Sequence, residues 1–131
     1  MRIVQDDAEA ARFVRAAFNW DFAEPFSGLL ILDDANTIHG VALLNNYEPG
    51  LTVDVTFAGR LTAASARGLA RYVFNVRKVR RVTAVTRVSN TAAQAGLIRW
   101  GFINEGRLRD RFPDEDGLIF GLIRSDVKLR F

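Results

Sequence analysis

The sequence of 131 residues predicts a mixed α/β domain in which helices pack in layers on a sheet. Near the N-terminus, apolar residues such as Phe13, Val14 and Ala17 recur at the spacing of a helix. Over Leu51–Phe57, apolar and polar residues instead alternate strictly, which is typical of a strand. No repeat, linker or low-complexity segment interrupts the predicted elements. Residues 1–131 are therefore expected to form one domain.

The N-terminal region is predicted to contain a short strand at Arg2–Val4, followed by a helix. Asp6 and Glu9 form a capping-box pattern, which indicates the start of a helix that should end near Asn19. The segment Trp20–Phe26 is aromatic and is broken by a proline, so we expect a loop there.

Three strands should follow, separated by turns. Asp33–Asn36 is predicted as the turn between strands at Ser27–Leu32 and Thr37–Asn45. Glu48–Gly50 is a second turn, and it leads into the strand Leu51–Phe57. The apolar face of that strand consists of Leu51, Val53, Val55 and Phe57.

The second half of the chain is predicted to contain two more helices and three more strands. A helix should begin near Thr62, with a buried stripe made of Leu69, Tyr72, Val73 and Val76. The later elements are, in order, a strand at Val82–Val88, a helix at Thr91–Trp100, a strand at Ile103–Leu108, a turn at Pro113–Gly117 and a strand at Leu118–Arg124. Gly101 stands where a glycine can adopt the left-handed conformation that ends a helix.

Composition excludes several classes of protein. Cysteine is absent, which excludes disulfides and thiolate metal sites. No apolar run approaches the ~20 residues of a membrane span, and the N-terminus lacks the apolar core of a signal peptide. We therefore expect a cytoplasmic protein that does not enter a membrane.

The charge of the chain is weaker evidence about function than its composition. The net charge of +3 is too small to indicate nucleic acid by itself. We interpret the dense basic run Arg77–Arg81 as a solvated helix end, where cations suit the helix dipole. A phosphate-binding or nucleic-acid-binding patch is the alternative. A nucleic-acid site also needs aromatic neighbours, and only Tyr72 and Phe74 are near, on or beside the face predicted to be buried.

An ordered set of features in the second half of the chain resembles a known family. Asn90 follows a strand, an alanine-rich helix comes next, Gly101–Phe102 ends it, and Glu105–Arg109 lies in the following strand. This set is similar to the C-terminal half of the GNAT acetyltransferases, and the resemblance extends over about Ile38–Arg124. The chain most resembles a short branch that is common in phage genomes and similar to the enzymes that acetylate ribosomal proteins.

The resemblance implies a mostly antiparallel sheet of about six or seven strands, flanked by helices and splayed between the fourth and fifth strands. Acetyl-coenzyme A (acetyl-CoA) would lie in the splay, with its pantetheine arm bonded to the strand edges like an added strand. Its pyrophosphate would lie on the N-terminus of the second helix. The cofactor-binding residues that this implies are Val55, Phe57, Gly59, Arg60, Thr62, Ser65, Val88 and Asn90.

The phosphate-binding loop departs from the family's pattern. Relatives have a loop with two glycines, or a glycine and an alanine, whereas Phe57–Thr62 contains only Gly59. Arg60, Thr62 and Ser65 are predicted to bind phosphate through their side chains instead. The alternative is a site that has lost the cofactor. Relatives often have a tyrosine acid at the position that Leu97 occupies here.

Acetyl transfer to an amine requires a neutral amine, a donor to the carbonyl oxygen and a proton for the departing thiolate. The sequence shows no Ser-His-Asp or metal-ligand pattern, and we interpret His39 as a surface residue. Asp54 is the preferred base because its face of the strand should line the cleft. An equally weighted alternative is that Asp54 is only a solvated strand residue.

Two other residues are candidates for contact with substrate. Tyr47 lies at a turn near the same strand end and is the second candidate catalytic residue. Glu105 could also contact substrate, although an ion pair with Arg107 or Arg109 is the favoured interpretation.

The sequence thus predicts an enzyme that transfers an acetyl group from acetyl-CoA to a primary amine of a small molecule or a protein. A catalytically inactive GNAT fold that binds a partner is the first alternative, and a basic nucleic-acid-binding module is the second. The partners expected are acetyl-CoA and an amine acceptor, with a homodimer left open. No metal is expected.

Overall fold

The computed structural model describes residues 1–18, 22 and 24–131. Its sheet consists of β1 Arg2–Gln5, β2 Phe26–Leu32, β3 Ile38–Glu48, β4 Thr52–Gly59, β5 Arg81–Arg87, β6 Ile103–Phe112 and β7 Glu115–Ile123. The α-helices in this part of the chain are α1 Asp7–Phe18, α2 Ala63–Ala70 and α3 Thr91–Trp100. A π-helical segment, Arg71–Val76, continues α2, and a 3₁₀ turn, Arg124–Asp126, follows β7.

The seven strands form one sheet in the order β1-β2-β3-β4-β5-β7-β6. Every neighbouring pair is antiparallel except β4 and β5, which are parallel. Helix α1 packs on one face of the sheet, and α2 and α3 pack on the other. The predicted fold class, a mixed and mostly antiparallel sheet flanked by helices, is confirmed.

Helix α1 begins as its capping residues predict. Asp6 Oδ1 accepts the N–H of Glu9 at 3.1 Å. Ala10 and Val14 are fully buried against the sheet, and a Cβ at Gly28 of β2 would collide with the Cβ of Ala10. The glycine therefore lets the helix approach the strand closely. The predicted helix end at Asn19 lies outside the described residues, as does part of the predicted loop (residues 20, 21 and 23).

Helix α3 has the ends that its sequence predicts. Asn90 is the N-cap, and its side chain accepts the N–H of Ala93 at 3.1 Å. Gly101 ends the helix with a left-handed φ of 111°, and its N–H donates to the carbonyl of Ile98. A Cβ at Gly101 would also collide with the carbonyl oxygen of Asp126. Both backbone conformation and packing require glycine at this position.

Two residues predicted to be buried are exposed. Val76 is 66% exposed because the helix widens from α to π at Arg71, and the residues that follow no longer obey a spacing of 3.6. Leu51 is 50% exposed because it lies in the turn before β4, where its carbonyl accepts the N–H groups of Arg80 and Arg81. The rest of the apolar face of β4 is turned towards the core as predicted, with Val53 and Val55 buried.

The last two strands are longer than predicted. β6 continues to Phe112 and β7 already begins at Glu115, so the turn predicted at Pro113–Gly117 is reduced to residues 113–114. The register shifts between Leu108 and Phe112, and Asp110 adopts a positive φ of 53°. This bulge absorbs extra residues and lets pairing resume at the tip of the hairpin.

Candidate functional site

β4 and β5 part after a short parallel ladder. Its three residue pairs are Thr52 with Arg81, Val53 with Val82 and Asp54 with Thr83. Beyond them, β4 stays paired with β3 as far as Gly59, and β5 stays paired with β7 as far as Arg87. The facing edges therefore open into a V whose closed end is at Asp54 and Thr83. The predicted splay of the fourth and fifth strands is confirmed.

A cleft of about 440 Å³ opens at this point, on the sheet face opposite α2 and α3. Its volume falls within the range of small-molecule sites, about 300–1,000 Å³. The lining residues are Phe22, Asn45, Asn46, Asp54, Val55, Thr56, Thr83, Val85, Arg111 and Phe112. Among these described residues, only Asp54 and Arg111 carry charge. One carboxylate and one guanidinium thus share a partly apolar cleft.

Asp54 is held in this cleft by the neighbouring strand. It pairs with Asn45 across β3 and β4, and the register of β3 shifts immediately afterwards, where Asn46 has a positive φ of 52°. The bulge brings Asn46 Nδ2 within 2.9 Å of Asp54 Oδ2. One carboxylate oxygen is thus held by an amide donor, and Asp54 lines the cleft.

The opposite face of β4 is apolar. Val55 is 5% exposed, and the Phe57 ring packs edge-on against Phe102 with 6.5 Å between centroids. Both side chains belong to the core between the sheet, α2 and α3. A cofactor between the strands would therefore meet the backbone edges of Val55 and Phe57, as an added strand does, and not their side chains.

The loop after β4 is tied closely to β3. Gly59 has a φ of 80°, and a Cβ there would lie 2.6 Å from the carbonyl oxygen of His39. The N–H of Arg60 donates to that same oxygen at 2.8 Å. The glycine is thus needed for the contact with β3, and the loop amide at position 60 is already bonded. The side chain of Arg60 is exposed.

Thr62 and Ser65 form a capping box at the start of α2. The Ser65 N–H donates to Thr62 Oγ1 at 3.2 Å, and the Thr62 N–H donates to Ser65 Oγ at 2.8 Å. Ser65 is 2% exposed. Their hydroxyls therefore serve the helix itself. The capping box does not use the N–H groups of Ala63 and Ala64, which lie in the first turn of α2.

The end of β5 is closed by internal hydrogen bonds. The Val88 N–H donates to the carbonyl of Asp116 at 3.1 Å, and the Val88 carbonyl accepts from Gln94 Nε2 at 2.8 Å. Asn90 uses its side-chain oxygen to cap α3. Gln94, which no sequence pattern marks, thus donates to a strand-end carbonyl at the position where a cofactor contact is predicted.

Tyr47 lies outside the cleft that contains Asp54. Its hydroxyl donates to the carbonyl of Arg77 at 3.1 Å. The Arg77 guanidinium lies over the rings of Tyr47 and Tyr72, with its Cζ at 5.2 and 5.3 Å from the ring centroids. The first arginine of the basic run is therefore packed between two tyrosines. The structure does not bring Tyr47 together with Asp54.

Glu105 pairs with Arg81, so the predicted ion pair with Arg107 or Arg109 is wrong. The two contacts between the Glu105 carboxylate and the Arg81 guanidinium measure 2.5 and 3.1 Å, and they lower the pKa of Glu105. A register shift in β6 at this residue and the bare backbone of Gly121 let Glu105 reach across β7. Arg107 instead pairs with Asp116 at 2.7 Å.

His39 is the second residue of β3 and contacts the turn between β2 and β3. Its Nε2 lies 2.8 Å from Asp33 Oδ2, while the N–H groups of Ala35 and Thr37 donate to Asp33 Oδ1. The pKa of Asp33 is lowered by the Thr37 N–H and, to a smaller extent, by the His39 contact.

Within residues 1–18, 22 and 24–131 there is no group of three or more His, Asp or Glu side chains that could hold a metal ion. No helix in these residues is long and apolar enough to cross a membrane.

Several cleft residues could not be selected from the sequence. Asn46 and Thr83 carry no local signal beyond their place beside a strand, and Phe112 resembles any apolar residue at a strand end. Arg111 is one of several arginines in β6. Its selection depends on the bulge at Asp110, which is visible only in the folded sheet.

Comparison with known proteins supports the fold at low sequence identity. No protein-family model matches the chain, and no curated protein is significantly similar to it in sequence. The spermidine/spermine N-acetyltransferase SpeG from Vibrio cholerae matches 95% of this chain and 92% of its own, with a TM-score of 0.76 and 14% identity. A chimeric form of that enzyme gives a TM-score of 0.78 at 12% identity, over 95% of this chain and 98% of its own.

A third solved structure, described as a probable acetyltransferase, is 23% identical to this chain. It matches 76% of this chain and 61% of its own length, with a TM-score of 0.64. The chain has the fold of the GNAT acetyltransferases.

Proposed function

We propose that the protein is an N-acetyltransferase that moves an acetyl group from acetyl-CoA to a primary amine of a small molecule or a protein. The observation that carries the proposal is the coincidence of three features at one point: the parallel ladder ends there, a cleft opens there, and Asp54 lies in it. A thioester held between the strand edges would end beside this carboxylate.

The edges of the V fit an extended cofactor arm. β4 and β5 continue past the ladder without pairing to each other, so their facing edges can bond to an amide-containing chain. The N–H groups of Ala63 and Ala64 at the start of α2 suit a pyrophosphate, and the exposed Arg60 side chain adds a forked cation. Acetyl-CoA, when bound, supplies the thioester. Thr62 and Ser65 contribute indirectly, because they hold the helix end in place.

Asp54 is proposed as the group that takes the proton from the acceptor amine, directly or through a water molecule. Its contact with Asn46 fixes the carboxylate orientation, and the partly apolar lining of the cleft favours the neutral amine. A strand N–H near Val55 or Thr56 is proposed to polarise the acetyl carbonyl oxygen. The thiolate's proton then returns from the protonated carboxylate or from water.

The class of acceptor is inferred from the similarity of this chain to other proteins. The SpeG proteins are described as acting on spermidine and spermine, which carry primary amines. The resemblance to the branch that acetylates ribosomal proteins suggests a protein amine instead. Both acceptors present a primary amine to a base, and the proposed chemistry is the same for each.

An inactive GNAT fold that binds a partner is the second candidate. Two observations favour it: the Arg60 N–H is bonded to His39, and the N–H and carbonyl of Val88 are bonded within the chain. Each removes a backbone group that a cofactor could use. On this alternative, coenzyme A would not bind.

Coenzyme A binding separates the two candidates. A ligand that binds only the folded state raises the melting temperature, and a concentration of 100 times Kd adds about 2.7 kcal/mol to the free energy of unfolding. We expect this shift with coenzyme A, together with thiol release when acetyl-CoA and a panel of amines are supplied. If the melting temperature did not shift and calorimetry showed no heat of binding at millimolar cofactor, the inactive fold would be the remaining candidate.

A further inference from the structure

One buried hydroxyl of the sheet has no hydrogen-bond partner within the chain. Among the residues that the structure describes, Thr86 Oγ1 is the buried side-chain oxygen or nitrogen that lacks a hydrogen bond, and Thr86 is 9% exposed. Ser65 is also a buried polar residue, but its hydroxyl accepts the Thr62 N–H at 2.8 Å and donates to the Thr62 carbonyl at 3.0 Å. Native proteins rarely leave a buried polar group unpaired, so Thr86 requires an explanation.

Thr86 occupies a position of β5 where an apolar residue is expected. Alternate residues of a strand point to the same face, and Val82 and Ala84 belong to the core between the sheet, α2 and α3. Thr86 continues this row and is paired with Leu118 of β7. Valine has nearly the same shape and would fill the position without a polar atom. Packing alone therefore does not explain the hydroxyl.

The strand segment that contains Thr86 forms one wall of the V between β4 and β5. The parallel ladder ends at the pair of Asp54 and Thr83. If the ladder continued in the same register, it would pair Phe57 with Thr86. These two residues therefore lie on opposite sides of the opening, at the same level.

A cofactor placed as proposed has to pass this level of the V. Its thioester would lie beside Asp54, in the cleft on the sheet face opposite α2 and α3. Its pyrophosphate would lie on the other face, at the N–H groups of Ala63 and Ala64. The pantetheine arm that joins these groups must then cross the sheet where β4 and β5 are unpaired. Thr86 belongs to the β5 side of this passage, on the face of α2 and α3.

The end of the β5 backbone offers the arm few free groups. Gln94 Nε2 donates to the carbonyls of Arg87 and Val88 at 3.3 and 2.8 Å, and the Val88 N–H donates to the carbonyl of Asp116. The strand just beyond Thr86 is thus occupied by hydrogen bonds within the chain. A hydroxyl can both donate and accept, so this one side chain can replace either kind of backbone group towards an amide.

We infer that the Thr86 hydroxyl binds the pantetheine arm of coenzyme A through a hydrogen bond to one of the polar groups of the arm. The inference rests on the proposed function and adds a side-chain contact to the backbone edges of the V. Rotation about the Cα–Cβ bond moves Oγ1 among staggered positions, so the hydroxyl can turn towards an arm that lies in the passage. The unpaired hydroxyl destabilises the free chain, and binding of the arm removes this cost.

Thr86→Val separates stability from binding, because it removes the hydroxyl and keeps the shape. The free chain should melt about 2–5 °C higher, since a buried hydroxyl without a partner is destabilising. Coenzyme A should bind about 3- to 10-fold more weakly, the range for one uncharged hydrogen bond. Thr86→Ser should do the reverse, with nearly unchanged affinity and a lower melting temperature because a buried methyl group is lost. Melting curves of the free chains and calorimetry with coenzyme A measure these quantities.

Two controls assign the effect to the arm. Adenosine 3′,5′-diphosphate has the nucleotide end of coenzyme A without the arm, so it should bind equally to the unaltered chain and to Thr86→Val. Thr52→Val makes the same substitution at a half-buried position in the paired part of β4, and it should bind coenzyme A like the unaltered chain. If Thr86→Val failed to fold, Thr86→Ala would also remove the hydroxyl and should weaken coenzyme A binding to a similar extent.

The outcomes separate this inference from the proposed function. Equal affinity of the unaltered chain and the variants without the hydroxyl would overturn the inference and leave the proposed function intact. A lower melting temperature of Thr86→Val, or an equal loss of adenosine 3′,5′-diphosphate binding, would also overturn it. Coenzyme A binding that depends on the Thr86 hydroxyl, without acetyl transfer to any amine, would support the inference and count against catalysis. No coenzyme A binding to the unaltered chain would overturn both.

Discussion

Asp54 lies at the last residue pair between β4 and β5, with Asn46 Nδ2 at 2.9 Å from one of its oxygens. Asp54→Asn keeps the size of the side chain and an oxygen for Asn46, but it removes the carboxylate that is proposed to take the proton. We expect turnover to fall by about 10²–10⁴-fold, as for the loss of a general base. Coenzyme A affinity, measured by calorimetry, should hardly change.

Asp34→Asn is the control for this substitution, because Asp34 is a fully exposed carboxylate in the turn between β2 and β3. It should have ordinary turnover. If Asp54→Asn also turned over at the ordinary rate from roughly pH 6 to 9, Asp54 would not be the base. Positioning of the amine in the cleft would then have to account for the rate.

Arg60 lies in the loop after β4, which is proposed to bind phosphate although it is not rich in glycine. Its N–H is bonded to His39, so only its exposed side chain can reach a phosphate near Ala63 and Ala64. Arg60→Ala should weaken coenzyme A binding by about 1.5–3 kcal/mol, the range for hydrogen bonds to charged groups. The measurement is calorimetry with coenzyme A and with dephosphocoenzyme A.

Arg80→Ala is the comparison for Arg60→Ala, since Arg80 represents the basic run and is also exposed. If the basic run holds the 3′-phosphate, the effect of Arg80→Ala should disappear with dephosphocoenzyme A, whereas that of Arg60→Ala should persist. Unchanged binding in Arg60→Ala would mean that the N–H groups at the start of α2 are sufficient.

At the scale of an element, the glycine inside α3 and the glycine that ends it have opposite requirements. Gly101 ends the helix at a φ of 111°, against the Asp126 carbonyl, whereas a Cβ at Gly96 would meet nothing within 4 Å. Gly101→Ala should lower the free energy of unfolding by about 2 kcal/mol or more, through left-handed strain and collision. Gly96→Ala should raise it by up to about 1 kcal/mol, because alanine favours helix.

Urea unfolding of both variants measures these two changes, and the m-value shows whether each transition remains comparable. Equal effects would mean that α3 tolerates a side chain at its C-terminus. That result would contradict the packing of the 3₁₀ turn Arg124–Asp126 against Gly101.

At the scale of the whole molecule, the parts of the fold with local signals were predictable. Asn90 begins α3 and Gly101 ends it, through interactions within one helical turn. Sequence spacing alone therefore locates both ends of the helix. The alternation of β4 likewise assigns Asp54 to the polar face. The parting of β4 and β5 followed only from the family resemblance, because no local pattern marks where a ladder ends.

The features that the sequence could not predict depend on irregular backbone conformation and on contacts between residues distant in sequence. Val76 is exposed and not part of the buried stripe because it lies in a π-helical segment. No residue type indicates where a helix changes its number of residues per turn. Glu105 pairs with Arg81 because of a bulge and the absence of a side chain at Gly121. Arg111 enters the cleft through the bulge at Asp110. In each case neighbours in sequence were poor guides to neighbours in space.

Acidic residues at the β6–β7 turn connect that hairpin to β5. Glu115 accepts the N–H and hydroxyl of Ser89, both at 2.8 Å, and these bonds lower its pKa. The Arg87 contact lowers the pKa of Asp114. The Asp110 N–H, followed by Arg107, lowers that of Asp116.

A carboxyl whose pKa is lower in the folded chain than in the unfolded chain stabilises the fold above its unfolded pKa, which is about 4. That stability is lost as the pH falls through the folded pKa. We therefore expect a melting temperature that changes little through this mechanism from about pH 7 to 5 and then falls at lower pH. Glu115→Gln should show a shallower fall, whereas Asp34→Asn should follow the unaltered chain. A melting temperature that stayed constant or rose on acidification would show that these bonds do not hold the turn, and with it Arg111, in place.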